Sequence, residues 1–311
     1  MNPNKVAIAG SGIMGASLAQ VYAGSGYEVV LYDAFDEAIA KGKRQIDINQ
    51  ETLIGEGILS KTESDNIVSR ISFTKSKDCF ADCFLVVEAI VEKIEIKHEF
   101  WQEVSQIAPA EAILTTNTSG LPITRIAEKV TRPERFLGQH WINPPHLLPI
   151  CEIIKGEKTS PEMVTKMKDI ILKLGKCPVV IKDVPGFVVN RIQFALLREA
   201  LSIVEQGIAT YEDVDTVLKA GMGLRYAALG PFGIADFGGL DTFNSINSYL
   251  NAELCNSKEG SPVLKKMVEE GKLGVKSGRG FYDYSGDKAE KAIKNRDKMY
   301  IELAKVLYFK K

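Results

Sequence analysis

The sequence predicts an α/β protein: a doubly wound, mostly parallel sheet over residues 1–184, followed by an all-α C-terminal domain over residues 185–311. Three observations carry this. Through the first half, short β-rich runs alternate with apolar stripes at helical spacing. A glycine-rich turn joins the first run to the first stripe. After the breaker Pro185-Gly186 the β-rich runs stop and helical stripes continue.

The candidate strands are residues 6–9, 28–32, 71–74, 84–88, 112–116, 136–140, 151–154 and 179–181. Between the first two, Met14, Leu18, Val21 and Tyr22 form a helical stripe that Gly24 and Gly26 end. Between the fourth and fifth, Ile90, Ile94, Lys97, Trp101 and Val104 form another. Strand-helix-strand alternation calls for a parallel sheet covered by helices. Residues 36–69 differ. They read as two charged amphipathic helices, 36–55 and 61–69, a hairpin projecting from the sheet beside a ligand cleft. Beyond Pro185, Ile192, Leu196, Ala200 and Val204 recur every fourth residue until Gly207. Residues 213–220, 242–250 and 263–270 are further helices, and 288–311 a charged helical tail.

Composition narrows the function. With 311 residues, 45% of them apolar and 25% charged, and a net charge of -1, the chain is that of an ordinary globular protein. Nothing in this balance favours a nucleic acid or a membrane surface as partner. No apolar run reaches the roughly 20 residues of a transmembrane helix. A cytoplasmic location follows by default. The five cysteines, Cys79, Cys83, Cys151, Cys177 and Cys255, are read as reduced thiols with no metal site.

Gly10-Ser11-Gly12-Ile13-Met14-Gly15 fits G-x-G-x-x-G between a strand and a helix, the Rossmann fingerprint for a dinucleotide. Gly10 permits the tight turn, Gly12 lets the pyrophosphate approach, and Gly15 lets the helix pack closely. Ile13 and Met14 open the helix whose free N–H groups face the phosphates. Asp33 closes the second strand, 18 residues after Gly15. A carboxylate there accepts hydrogen bonds from the ribose hydroxyls and repels a 2′-phosphate, so NAD is expected rather than NADP.

Hydride transfer from an alcohol also needs a base for the hydroxyl proton, and histidine suits that task. The chain has three histidines, His98, His140 and His146. His98 lies in a charged helical stretch. His140 ends a strand and opens Trp141-Ile142-Asn143-Pro144-Pro145, with His146 in the same loop. Glu152 interrupts the apolar run 150–154. The run alone leaves two readings open: a carboxylate that orients a histidine, or one facing water on an edge strand. Ser119 in its Ser-Gly loop fits turn chemistry as well as substrate binding, and Asn190 fits a helix cap equally well.

From Gly10 to Tyr284 the chain resembles the short-chain L-3-hydroxyacyl-CoA dehydrogenases. The resemblance rests on the glycine fingerprint, on Val87-Glu88-Ala89-Ile90-Val91-Glu92, on Asn117-Thr118-Ser119, and on His140 with Asn143-Pro144 and Glu152. It continues through residues 185–191, Gly230-Pro231-Phe232 and residues 278–282. It implies His140 as general base with Glu152 as its partner, and Ser119 and Asn190 as donors to the substrate oxygen. It places Asp33 on the adenosine ribose, Glu92, Lys97 and Asn117 along the cofactor, and Asn143 near the acyl group. It further implies a short-chain 3-hydroxyacyl-CoA as substrate and a homodimer formed through the helical domain.

The chain departs from the family pattern in three places. Gly120 follows Ser119 where the family has a second serine. The histidine loop reads His140-Trp141-Ile142-Asn143-Pro144-Pro145-His146. The hairpin expected to meet CoA carries Lys41, Lys43 and Arg44, but then Glu51, Glu56, Glu63 and Asp65 against Lys61. These variants also resemble relatives acting on CoA-free acids: a hydroxymethyl pyridine carboxylate, a carnitine-type substrate or a sugar acid.

Overall fold

Along the chain run β1 (Asn2–Ala9), α1 (Ile13–Gly24), β2 (Glu28–Tyr32), α2 (Asp36–Gly55), α3 (Lys61–Ser69), β3 (Ile71–Thr74) and β4 (Cys83–Glu88). Next come α4 (Ile94–Ile107), β5 (Ile113–Thr116), the short α5 (Ile123–Ile126), β6 (Phe136–Trp141), β7 (Ile150–Lys155), α6 (Pro161–Lys173) and β8 (Cys177–Lys182). Helices then follow one another: α7 (Val189–Glu205), α8 (Tyr211–Val217), α9 (Leu224–Ala228), α10 (Pro231–Gly238), α11 (Leu240–Leu250), α12 (Pro262–Glu269) and α13 (Lys288–Leu307). This is a computed structural model, and it describes residues 1–308. The last three residues of the expected C-terminal helix lie outside the described residues.

The eight strands form one sheet in the order β3-β2-β1-β4-β5-β6-β7-β8. Every neighbouring pair is parallel except β6 and β7. Both faces of the central strands are covered, as a parallel sheet requires. On β1, Val6 and Ile8 face α1 and α6 in one apolar layer that includes Leu18, Tyr22, Met167 and Ile171. Ala7 and Ala9 face the other layer, where Phe100, Trp101 and Val104 of α4 pack. The chain order reverses at β1, so the turn after it opens at the switch point where doubly wound sheets bind ligands.

The hairpin occupies the expected residues. Ser60 starts α3 with a reciprocal capping box, its hydroxyl accepting from the Glu63 N–H while the Glu63 carboxylate accepts from the Ser60 N–H. It does not project freely. α2 lies on α1 through Asn49 Nδ2 to Ser17 Oγ (3.2 Å) and Gln50 Nε2 to Gln20 Oε1 (2.7 Å). A Cβ on Gly42 would come within 2.6 Å of the Ser11 carbonyl oxygen, so α2 crosses the glycine turn almost backbone to backbone.

The chain folds as two units, and their boundaries differ from the expected 184/185 division. The first comprises residues 1–190 and 297–308, the second 191–296. The last part of the C-terminal helix therefore belongs with the sheet and not with the helical unit. There Ile301 is fully buried in a small apolar cluster with Leu53 of α2 and Leu147. Within the second unit, the helix expected over 213–220 ends its α-helical part at Val217 and continues as a wider π-helical stretch, Leu218–Gly223. α10 has no apolar-periodic signal among its glycines. Pro231 at its first turn, where a missing N–H costs nothing, starts it.

Candidate active site

The turn after β1 has the geometry of a phosphate cradle. Gly10 has φ +97°, and a Cβ there would press on the Ala89 backbone. A Cβ on Gly15 would collide with the Gly10 carbonyl oxygen, so only glycine lets α1 sit this close. At Gly12 a Cβ would meet nothing within 4 Å, so the approach to the first amides of α1 is open. No side chain caps those amides. Ile13 is exposed and Met14 half-buried at the same helix start.

Asp33 is fastened to this turn. Its Oδ2 accepts from the Ser11 N–H (2.8 Å) and the Ser11 hydroxyl (2.9 Å), and its Oδ1 from the Phe35 N–H (3.2 Å). Ser11 is fully buried, and its only sign in the sequence is a hydroxyl inside the glycine motif. Asp33→Ala removes the anchor of the turn and a carboxylate placed at the end of β2, where a Rossmann site meets the ribose. We expect it to weaken NADH binding by about tenfold or more, with a smaller change in kcat at saturating cofactor. Fluorescence titration of NADH checks this.

Beside the turn lies a buried polar knot. Glu88 at the end of β4 is fully buried and takes hydrogen bonds from Lys97 Nζ, Trp101 Nε1 (3.2 Å), Thr116 Oγ1 (2.7 Å) and the Ile90 N–H (3.0 Å). Lys97 pairs with Glu88 and, at 3.3 Å, with Glu92. It has no exposed surface, so it lies beneath Glu92 and does not itself reach an open surface. Removing either partner of such a buried pair typically costs about 3–5 kcal/mol. Glu92 in turn accepts from the Thr118 hydroxyl, the Ser119 N–H (2.9 Å) and the Gly120 N–H (3.3 Å). Burial pushes the Glu92 carboxyl up, but the Thr118 hydroxyl, Lys97 and the Ser119 N–H more than offset it, leaving it below its usual range. Asn117 closes the strand ends, its N–H on the Glu88 carbonyl (2.7 Å) and its Oδ1 accepting from the Trp141 N–H (3.0 Å).

His140 and Glu152 stand directly opposite one another in the antiparallel β6–β7 ladder. This register places the two side chains on the same face of adjacent strands. His140 Nδ1 and Glu152 Oε2 are 2.8 Å apart, with the two residues 3% and 1% exposed. β7 lies between β6 and β8, so Glu152 does not face water on an edge. Its other oxygen, Oε1, accepts from the Val188 and Val189 N–H groups, both at 2.9 Å. Burial raises the Glu152 carboxyl, but the bonds from His140, Val189 and Val188 outweigh it and hold the group below its usual range. An ionised Glu152 fixes the proton of His140 on Nδ1 and leaves Nε2 as the basic nitrogen.

The backbone that reaches over Glu152 is strained. Gly186 has φ +76° and Phe187, a buried residue with a Cβ, has φ +51°. A non-glycine residue held there costs about 1–3 kcal/mol. The turn aims two successive amides at Glu152 and packs the Phe187 ring 5.4 Å from the imidazole. Asn190 follows at the start of α7. Its Nδ2 donates to the Ser119 carbonyl (2.8 Å) and so ties the end of this segment to the serine loop. Ser119 and Asn143 are exposed, and Asn143 precedes a cis peptide bond to Pro144. His98 is placed elsewhere, its Nε2 2.7 Å from the Arg125 carbonyl oxygen.

The family model "3-hydroxyacyl-CoA dehydrogenase, NAD binding domain" matches residues 5–184, and "3-hydroxyacyl-CoA dehydrogenase, C-terminal domain" matches 186–284. The chain belongs to the 3-hydroxyacyl-CoA dehydrogenase family. It is 42% identical over 281 residues to a probable 3-hydroxybutyryl-CoA dehydrogenase of Deinococcus radiodurans, covering 90% of this chain and 100% of that one. It is 36% identical over 304 residues to the 5-formyl-3-hydroxy-2-methylpyridine 4-carboxylate 5-dehydrogenase of Mesorhizobium japonicum, covering 97% of each. A crystal structure of such a pyridine-carboxylate enzyme, described as an NAD+-dependent dismutase, superposes with a TM-score of 0.92 at 35% identity, over 99% of this chain and 100% of that one.

As a member of this family the chain is an NAD-dependent oxidoreductase acting on hydroxyl groups. The residues present fit NAD: an open approach at Gly12, uncapped α1 amides and a carboxylate at the end of β2. Bound there, NAD supplies a hydride acceptor. The two family models meet at residues 184–186, whereas the structural division falls at 190/191. Among the described residues no cluster of His, Cys, Asp and Glu can hold a metal ion. The five cysteines are free thiols, and burial pushes Cys79 and Cys83 up to about 12. No described helix is long and apolar enough to cross a membrane.

Proposed function

We propose that the chain interconverts a short-chain 3-hydroxyacyl-CoA and its 3-ketoacyl-CoA with NAD, and that His140 and Glu152 form the base pair. The observation that carries the chemistry is the directly opposed His140–Glu152 pair, buried and aligned with its carboxylate doubly bonded to backbone. In the oxidation direction His140 Nε2 takes the hydroxyl proton as the hydride leaves carbon. The Ser119 hydroxyl and the Asn190 amide hold the substrate oxygen, neutral donors aimed where negative charge builds. Glu92 holds the Ser119 loop in place through three hydrogen bonds. Glu92 and Asn117 line the cofactor, with Lys97 supporting Glu92 from behind. Asn143 contacts the acyl part.

A second reading, a CoA-free hydroxy acid or hydroxymethyl carboxylate, is favoured by one specific observation. The relative that acts on a pyridine carboxylate matches 97% of this chain and its structure 99%, whereas the 3-hydroxybutyryl-CoA relatives match 90–91%. The test is NADH oxidation with acetoacetyl-CoA, beside free acetoacetate and NAD reduction with a panel of CoA-free hydroxy acids. Turnover of the thioester alone establishes the first reading. Turnover of a free acid with a dead thioester assay establishes the second. No turnover of any of them removes the chemistry.

The same proposal includes a cytoplasmic homodimer formed through the helical unit. That unit exposes Phe232 (86%), Phe237 (84%) and Leu224 (70%), apolar surface that a monomer rarely leaves in water. The paired substitution Phe232→Asp and Phe237→Asp is expected to halve the mass measured by light scattering. A native chain that already runs as a monomer contradicts the dimer.

A further inference from the structure

A cavity of about 620 Å³ opens between α1, α2, α13 and the residues that follow α6. Its walls belong to the first unit alone. The glycine turn, Asp33, Glu92 and the His140–Glu152 pair take no part in them. Leu53, Leu147 and Ile301 give the cavity an apolar side. Its titratable lining has one sign: Lys176, Lys305 and His146, with no carboxylate among the described residues that line it. Lys305 is already engaged, paired with Glu302 (3.1 Å) and donating to the Glu56 carbonyl oxygen (3.3 Å).

Two polar groups in this wall have unused bonding capacity. Lys176, 8% exposed, donates to the carbonyl oxygens of Pro145 (2.8 Å) and Leu148 (3.1 Å). An ammonium has three hydrogens, so one is left for a ligand. Burial pushes this amine down to about 8, a cost that an anion beside it offsets. The second group is Gln50, 4% exposed. Its orientation is fixed by a chain of amides. The Ala16 carbonyl can only accept, so Gln20 turns Nε2 toward it (3.1 Å). Gln20 Oε1 then accepts from Gln50 Nε2 (2.7 Å). The chain ends on Gln50 Oε1, a buried acceptor with no partner among the described residues.

The geometry points to a second ligand site: the cavity takes a small hydroxylated carboxylic acid, its carboxylate on Lys176, its hydroxyl donating to Gln50 Oε1, and its apolar body against Leu53, Leu147 and Ile301. A cavity of this size suits a ligand of about ten to fifteen heavy atoms. The same Lys176 Nζ holds the Pro145 and Leu148 carbonyls, so a bound acid braces the loop that leaves His140. The Leu147 and Leu148 N–H groups, both 3.0 Å from the Pro144 carbonyl oxygen, report on that bracing. The site is separate from the redox centre and stands whether or not the dehydrogenase substrate carries CoA.

The experiment titrates two probes by calorimetry into the full chain saturated with NADH: 4-hydroxyphenylacetate, which has both groups, and phenylacetate, which lacks the hydroxyl. We expect a Kd below about 1 mM for the hydroxy acid and one at least about threefold weaker for phenylacetate. Lys176→Met is expected to weaken both acids by about tenfold or more. Gln50→Leu should bring the hydroxy acid to the affinity of phenylacetate and leave phenylacetate within about twofold. That second variant carries the test alone if Lys176→Met does not fold. Hydrogen exchange at the Leu147 and Leu148 amides should slow when the hydroxy acid binds. No binding of either acid up to about 5 mM overturns the inference, as does an affinity that both substitutions leave unchanged. Equal affinity of the two acids overturns the role of Gln50 and with it the ligand class. Loss of binding in His140→Ala would place the acid in the active site and overturn the second site.

Discussion

His140→Ala is expected to lower kcat by about a thousandfold while leaving NADH binding within about twofold. The imidazole is the only histidine in the buried pair with Glu152, and its contacts are β7 and the Phe187 ring, not the glycine turn that receives the cofactor. Loss of the side chain leaves Glu152 without its ring partner but with two backbone N–H donors, so the carboxylate stays solvated by the fold. Folding stability is expected to fall by about 1–3 kcal/mol, too little to abolish the structure. Saturating kcat together with NADH titration separates loss of chemistry from loss of cofactor. Unchanged kcat would remove His140 from the reaction.

Glu152→Gln is the second large effect, about a hundredfold to a thousandfold in kcat. The variant is nearly isosteric, so the loss comes from proton placement. If the Gln oxygen keeps the Val188 and Val189 amides, its NH2 faces His140 Nδ1 and forces the ring proton onto Nε2, the nitrogen that must be bare. If the amide turns over, its NH2 opposes two N–H donors. Either arrangement fails. The stability signature has a definite sign. The carboxyl is held below its usual range in the folded chain. Its contribution is complete above the unfolded carboxylate pKa and is lost as pH falls through the lower folded value. Urea midpoints of native protein and variant should therefore differ most at neutral pH and converge in acid. A constant difference across that range would mean the ionised carboxylate is not what the fold stabilises.

Much of the sheet was legible in the sequence because its determinants are local. The β-rich runs, the glycine turn and the Ser60 capping box each act within a few residues, and all eight strands and both hairpin helices form where those signals lie. Lys97 also carried a readable sign, a charged residue within an apolar helical stripe, and it is buried between Glu88 and Glu92. The His140–Glu152 pairing was not legible without the family resemblance. It depends on the antiparallel register across the eight-residue connection from β6 to β7, which no local pattern encodes. Likewise the charged tail reads as a helix, but nothing local in it shows that Ile301 packs with Leu53 and Leu147. The Asn190 side chain, read locally as a cap, turns out to bond the Ser119 carbonyl 71 residues away.

The central claim is that Glu152 holds the proton of His140 on Nδ1, leaving Nε2 free to take the substrate proton. With three histidines in the chain, nitrogen NMR of 15N-histidine-labelled protein can assign each ring by loss of its signals in single variants. In the neutral imidazole the account predicts a His140 spectrum with a protonated Nδ1 and a bare Nε2 that reverses in Glu152→Gln. A His140 ring protonated on Nε2 in the native protein would contradict it.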